Sequence, residues 1–278
     1  MALLVPSARA LSERRAGASL SATYVPGTTG TLVTASATPH ALTGTPTELV
    51  ASTAFEAEWI EIWIQGTAVS ATLTDALLNI YIGAGGSETL FIDSLSAGWA
   101  TLGAANGLPF TYWFPVRIPA GTRISAELRA LIASDTARVT IFYGTSNGTH
   151  WVGSGVETLG EVTASSRGTA HTPSGTGGAS WTTLGTSGRT YRYVQLGVQG
   201  NNDTTLGDSL MSWHIGTGSA LLQDLGLILS TTFQTNEVHN FAQRGEWCDI
   251  PSGTSLQTRA WSTGTVSGNY FATLHGVY

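Results

Sequence analysis

Residues able to do acid–base or metal chemistry are few and scattered in this chain. Histidines stand at positions 40, 150, 171, 214, 239 and 275, and none has metal-ligand spacing to another histidine or to a carboxylate on the same element. The nearest approach to a pair is Glu237 with His239, at alternate positions of a strand-like run. Cys248 is the one cysteine, which excludes an intrachain disulfide framework and a cysteine-based metal site. It lies in a strand pattern and is expected to serve as a small buried hydrophobe. The sequence contains no phosphate-binding loop, paired-glycine dinucleotide turn or His-Glu-x-x-His zinc motif, and "GTGSA" carries no nucleophile elbow. Asp75 and Asp208 stand at corresponding places ahead of two strands, where aspartate commonly caps a turn. Asp93 and Asp224 form a looser second pair. An active site would rarely be built twice, so the expectation is a protein that is not an enzyme, with no catalytic residues, no metal and no cofactor.

Aromatic side chains are the stronger candidates for binding. In "EWIEIWIQG", Trp59, Glu61 and Trp63 alternate with Ile60, Ile62 and Ile64. The isoleucines make the better core face, because the charge of Glu61 has to stay solvated. Two tryptophans beside a carboxylate on an outer face form either an interface or a platform for stacking on sugar rings. Trp99, Trp113, Trp151 and Trp181 lie near loops and could serve in the same way.

The elements that must hold these residues are strands. Hydrophobic residues make up 42% of the chain and charged residues only 11%, with 34 glycines and nine tryptophans, a balance that suits half-buried pleated sheets with short turns. The 278 residues suffice for two domains, and the same strand grammar is written twice. Thr38-Pro39 recurs as Thr172-Pro173, "WIEIWIQG" as "YVQLGVQG" from 193, and "TDALLNIYIGAG" as "GDSLMSWHIGTG" from 207. "RIPAGTRISAEL" recurs as "DIPSGTSLQTRA" from 249, and Tyr143-Gly144 matches His275-Gly276. In the second copy Trp59 and Trp63 become Tyr193 and Gly197. Within Ile118-Pro119-Ala120-Gly121-Thr122 the proline closes a strand and the glycine lets the chain reverse; Ile250-Pro251-Ser252-Gly253-Thr254 builds the same corner again. These spacings predict an all-β protein: an N-terminal arm over 1–37, a β-sandwich module over 38–146, a linker over 147–169 and a second β-sandwich over 170–278, both modules jelly-roll-like.

Charge narrows the partners. The net charge of −6 argues against nucleic-acid binding, and no apolar run reaches the length of a membrane span. All twelve basic residues are Arg. The arm carries Arg9, Arg14 and Arg15 against Glu13, a local +2, while module one has nine acidic residues against four Arg (−5) and module two has six against four (−2). With Leu3 and Leu4 as apolar contacts, the arm is read as an assembly device that reaches other proteins or other copies. Unpaired sandwich edges, with no lysine to blunt them, point to a homo-oligomer that also covers the strand around Trp59 and Trp63.

The segments "ELVASTAFEAEWIEIWI", "TDALLNIYIGAGGSETLFIDSLSAGWA" and "WFPVRIPAGTRISAELRALIASDTARVTIFY" resemble modules of uncharacterised structural proteins of tailed bacteriophages. The likeness covers about residues 45–143, and the second module departs from it, lacking the "GSETLFIDSL" wording. It implies a non-enzymatic virion protein, surface-exposed as a head decoration, spike, fibre or tail component, held to other virion proteins through its arm. The alternative is a receptor- or glycan-binding module that meets a host surface glycan through exposed tryptophans.

Overall fold

The structure, a computed structural model, describes residues 19–20, 30–67, 75–98, 110–146, 148, 150–172, 180–200, 209–217, 224–232, 245–262 and 270–278. Short strand β1 (Ser19–Leu20) precedes the eight strands of a first jelly roll. These are β2 (Thr31–Thr34), β3 (Thr47–Val50), β4 (Trp59–Thr67), β5 (Ala76–Gly83), β6 (Thr89–Ser96), β7 (Phe110–Phe114), β8 (Arg123–Ala130) and β9 (Thr136–Gly144). Two short strands follow, β10 (Val156–Leu159) and β11 (Glu161–Val162). The second jelly roll comprises β12 (Arg167–His171), β13 (Thr182–Thr186), β14 (Tyr191–Gly200), β15 (Ser209–Thr217), β16 (Asp224–Thr232), β17 (Gly245–Ile250), β18 (Ser255–Ser262) and β19 (Tyr270–Val277).

Strand order is the same in both copies. The first forms sheets β2-β9-β4-β7 and β3-β8-β5-β6; the second forms β12-β19-β14-β17 and β13-β18-β15-β16. Counting within each copy, the order is first-eighth-third-sixth facing second-seventh-fourth-fifth, the double Greek key of a jelly roll. Ile60, Ile62 and Ile64 enter the first core with Leu78, Ile80, Ile124 and Ile141, while Val194, Leu196, Trp213 and Leu274 centre the second.

Sheet pairing begins inside the segments read as arm and linker. Ser19 and Leu20 pair with Tyr143 and Phe142, and Thr31 to Thr34 pair with Val139 to Thr136. In the same way Val156 to Leu159 pair with Val277 to Leu274, and Thr169 to His171 with Ala272 to Tyr270. Each copy therefore starts with a first strand split into two pieces, and in the second copy β11 pairs along the outer side of β12.

One sequence match is corrected by register. Glu61 lies opposite Phe142, and its counterpart Gln195 lies opposite His275. His275 thus corresponds to Phe142 and not to Tyr143. Because side chains alternate, that single step sends Tyr143 into the first core and puts His275 on the outer face of the second sheet.

The repeated proline corner is held by a hydroxyl that lies 66 residues before the first proline and 64 before the second. Thr53 Oγ1 donates to the Pro119 carbonyl (2.7 Å) and accepts from Thr122 N–H (3.0 Å). Ser187 Oγ does the same with Pro251 (2.9 Å) and Thr254 (3.0 Å). Backbone bonds between Thr53 and both Gly121 and Thr122 recur between Ser187 and both Gly253 and Thr254. The corner glycines have φ of +76° and +84°, where a Cβ is disfavoured. Both hydroxyls are buried, so Thr53→Val and Ser187→Ala should each cost about 1–3 kcal/mol by orphaning a backbone N–H. Urea unfolding should give similar losses for the two variants if the corners are equivalent.

Candidate functional site: the seam between the two jelly rolls

The most elaborate polar chemistry lies where the edge of the first jelly roll meets the outer face of β14 and β19. Along β14, Val194, Leu196 and Val198 turn to their own core, so Tyr193, Gln195, Gly197 and Gln199 face the neighbour. Gln195 is 1% exposed, and its side-chain amide acts as a strand for the open edge of β7. Its Oε1 accepts from Trp113 N–H (2.9 Å) and its Nε2 donates to the Thr111 carbonyl (3.2 Å). Gln199, four residues on, accepts from Gly98 N–H (2.8 Å) and Ala76 N–H (3.3 Å) and donates to the Ser166 carbonyl (3.3 Å).

Between the glutamines runs a hydroxyl–imidazole chain. Thr158 Oγ1 gives its proton to the Asp93 carbonyl (2.7 Å), so His275 Nδ1–H donates to Thr158 Oγ1 (3.0 Å). His275 Nε2 then accepts from Thr273 Oγ1 (3.2 Å), which in turn accepts from Ser96 Oγ (3.0 Å). The Tyr112 hydroxyl closes the group by donating to the Ser96 carbonyl (2.8 Å), its ring edge-on to His275 at 5.6 Å. Burial holds the His275 imidazole down to about 3, so it is neutral with both nitrogens engaged. That arrangement binds surfaces together and leaves no lone pair for general-base work.

Gly197 makes the approach feasible. A Cβ there would lie 2.7 Å from Tyr112 Oη and from Thr273 Oγ1. In the first jelly roll the same position holds Trp63, opposite Thr140 as Gly197 is opposite Thr273. One copy thus presents a face that can receive a neighbour and the other a face already filled. At one end of the seam Trp113 packs edge-on against Tyr193 (5.4 Å), His150 (5.4 Å) and Trp247 (6.3 Å). Trp247 is 44% exposed and Trp151 41%, the most accessible tryptophans among the described residues.

Other ionisable groups gather nearby. Burial pushes the Asp75 carboxyl up to about 6, opposed by Arg167 from the second copy. His171, against Trp213 and bonded to Thr258 Oγ1 (2.9 Å), is held down to about 4 by burial. Glu157 accepts from Tyr191 Oη (2.6 Å) and Gly188 N–H (3.0 Å). Among the described residues no three His, Cys, Asp or Glu side chains are grouped to hold a metal. Burial pushes the Cys248 thiol up to about 12, in keeping with a packing role.

The residues singled out from the sequence fall as follows. Trp59 lies on the outer face but is fully buried, its ring under Gly144 and its Nε1–H directed at the Thr145 carbonyl (3.4 Å), so it offers no stacking surface. Glu61, expected to stay solvated, is 4% exposed, and Trp63 Nε1–H donates to it at 2.5 Å. Trp63 is half-buried, edge-on to Phe142 at 5.2 Å. Leu3, Leu4, Arg9, Arg14, Arg15, Trp99, Asp208, Glu237 and His239 lie outside the described residues. Gln195, Gln199 and His275 escaped the sequence reading. Two polar residues four apart on a strand that should pair only at its edges were the available signal.

No protein-family model matches the chain, and no characterised protein matches it in sequence. Among solved structures it is similar to PNGF-II at 7% identity, covering 98% of this chain and 68% of that one, with a TM-score of 0.41. It is similar to a peptide-N(4)-(N-acetyl-beta-D-glucosaminyl) asparagine amidase at 10% identity, covering 94% of this chain and 96% of that one, TM-score 0.35. A chain of the Sulfolobus Turreted Icosahedral Virus is similar at 10% identity, covering 94% and 90%, TM-score 0.37. At these identities no functional residue carries over.

Two outcomes test the seam. Gly197→Trp, which writes the residue of the first copy into the second, should separate the jelly rolls without unfolding them. Small-angle scattering should then show a larger radius of gyration, with far-UV dichroism unchanged. The second concerns pH. His171 and His275 bind fewer protons folded than unfolded between their lowered values and 6.5, so each removes stability as pH falls, by about 1.4 kcal/mol per pH unit. Asp75 binds more protons folded than unfolded between 3.8 and about 6, so it adds stability as pH falls through that window. His275→Gln should therefore flatten the loss measured by urea unfolding from pH 6.5 to 4.5, and Asp75→Asn should steepen it.

Proposed function

We propose that the protein is a structural component of a virus particle: a surface-exposed part of a tailed-phage virion, assembled as a homo-oligomer and attached through its N-terminal arm. The observation that carries the reading is the seam. Two jelly rolls of identical strand order are locked edge-on-face by buried amides, hydroxyls and a neutral imidazole. The polar groups best placed for chemistry are thereby used up in rigidity, the property an assembly subunit needs. The segmental resemblance of residues 45–143 to tailed-phage structural proteins points the same way. In the arm, Leu3 and Leu4 offer apolar contacts and Arg9, Arg14 and Arg15 offer charge to acidic neighbours.

A second reading, a host-surface glycan receptor, draws on one observation: Trp151 and Trp247 are accessible where Trp59 is not. The two readings separate by experiment. Antibody raised against the recombinant chain and coupled to gold should label purified particles at a fixed number per particle. A chain truncated before Ser19, which keeps every described strand, should fold and fail to incorporate. Recovery of the protein only in particle-free supernatant, with retention on a glycan array abolished in Trp151→Ala and Trp247→Ala, would favour the receptor.

A further inference from the structure

Trp151 and Trp247 stand at one mouth of the seam, on parts of the chain that the docking of the jelly rolls brings together. Trp247 is on β17 of the second roll. Its ring is fixed by edge-on contacts to Tyr193 of β14 (5.2 Å) and to Trp113 of β7 (6.3 Å), the latter contributed by the first roll. Trp151 is on the connection between the rolls, and that connection is stitched to both. Gly153 N–H donates to the Pro115 carbonyl (2.7 Å) and Gly153 C=O accepts from Arg117 N–H (3.0 Å), while Ser154 N–H donates to the Tyr278 carbonyl (2.7 Å). His150 joins the two places, in ring contact with Trp113 at 5.4 Å and with Trp247 at 6.0 Å.

Ladder register sets their separation. Val277, Tyr193 and Trp247 are paired in one row across β19, β14 and β17. Trp151 lies at the Val277 end of that row, since a Cβ on Gly153 would meet Val277 Cγ1 and, at 3.0 Å, Trp151 Cη2. Trp247 is two inter-strand spacings from Val277, about 10 Å. Its ring contacts hold it before any ligand arrives, so little rotamer freedom is lost on binding. The other exposed large apolar side chains, Leu32, Leu90, Leu131, Val162 and Trp261, are on β2, β6, the end of β8, β11 and β18, and none extends this patch. A protein interface needs a continuous apolar centre, which two separated indoles do not supply. Two arginines on the border are already paired, Arg117 with Glu56 (3.5 Å) and Arg192 with Asp249 (3.4 Å), which leaves little to draw an anion. A pyranose ring has the complementary make-up: a face of C–H bonds that covers an indole, and hydroxyls around its edge for polar neighbours. One ring reaches one of the two tryptophans, and the repeat along an oligosaccharide brings a later ring to the other.

We infer that Trp151 and Trp247 form one platform for a neutral oligosaccharide longer than a single ring, assembled by the docking of the two jelly rolls. The inference rests on the receptor reading for its ligand class, and adds the length of the ligand and the need for a closed seam. Trp113 is a positioning residue, because it comes from the first roll and fixes a ring that belongs to the second.

Titration calorimetry of the full chain tests this, with neutral oligosaccharides of graded length built from glucose, mannose, galactose or N-acetylglucosamine. One series should bind, with affinity rising about tenfold from one ring to three, the worth of a second ring contact. Trp151→Ala and Trp247→Ala should each bring the three-ring sugar down to the affinity of the single ring. Trp113→Leu keeps both exposed indoles and should still weaken the three-ring sugar by about threefold to tenfold. Gly197→Trp should remove the dependence on length while leaving Trp151 and Trp247 in place. Equal affinity for one ring and three would overturn the shared platform and leave the receptor reading standing. So would unchanged affinity in Trp113→Leu, or in Gly197→Trp with the rolls shown apart by scattering. Retention on acidic glycans alone would overturn the neutral ligand and keep the receptor. Binding to no glycan of either kind would remove both, leaving the virion reading to the gold-labelling test.

Discussion

A sheet edge buried between two domains must find partners for its N–H and C=O groups, and here the amide of Gln195 supplies them. Its carbonyl oxygen and its NH₂ meet Trp113 N–H and the Thr111 carbonyl, the two groups that a further strand would have bonded. Each such bond is worth only about 1 kcal/mol net, but leaving the edge unpaired in a buried seam would cost more. The face-on-edge docking, the burial of His275 and the alignment of the two cores all follow from meeting that requirement with a side chain. Had β7 been extended by another strand, the two jelly rolls would share one continuous sheet and would not pack edge against face.

Duplication and divergence can be read from the same seam. Features that serve one jelly roll by itself are retained in both copies: the strand order, the split first strand, and the corner held by Thr53 in one and Ser187 in the other. Features that serve the contact between copies are present only once. Glu61, Trp63 and Phe142 of the first outer face correspond to Gln195, Gly197 and His275 of the second. Charge becomes a neutral amide, a large ring becomes hydrogen, and an aromatic ring becomes a polar one. Each change removes bulk or charge where another surface has to fit.

The seam is electrostatically quiet in its interior. Its histidine is neutral, its glutamines carry no charge, and the hydroxyls relay one another's protons. Nearby, burial pushes the Asp75 carboxyl up to about 6, opposed by the charge of Arg167. Neutral polar groups avoid most of the desolvation penalty of buried ions while still demanding a specific geometry. Such an interface fixes orientation more than it adds stability.

How much of this was legible in the chain follows from the range of each interaction. All-β class, duplication and the proline corner come from local rules: alternation with period two, turn chemistry, and residues repeated at near-constant spacing. The isoleucine core face of β4 was legible for the same reason. The register of β19 was not, because "HG" matches "YG" in letters one residue away from where the sheet pairs them, and only the ladder to β14 decides between the two. Nor was the burial of Trp59 and Glu61 legible, since a strand pattern says which face a residue takes and not what lies above that face. The seam was invisible for the deepest reason. Gln195, Gly197 and His275 read as ordinary outward positions of two strands some 80 residues apart, and they become one site only when the edge of the other jelly roll is set against them.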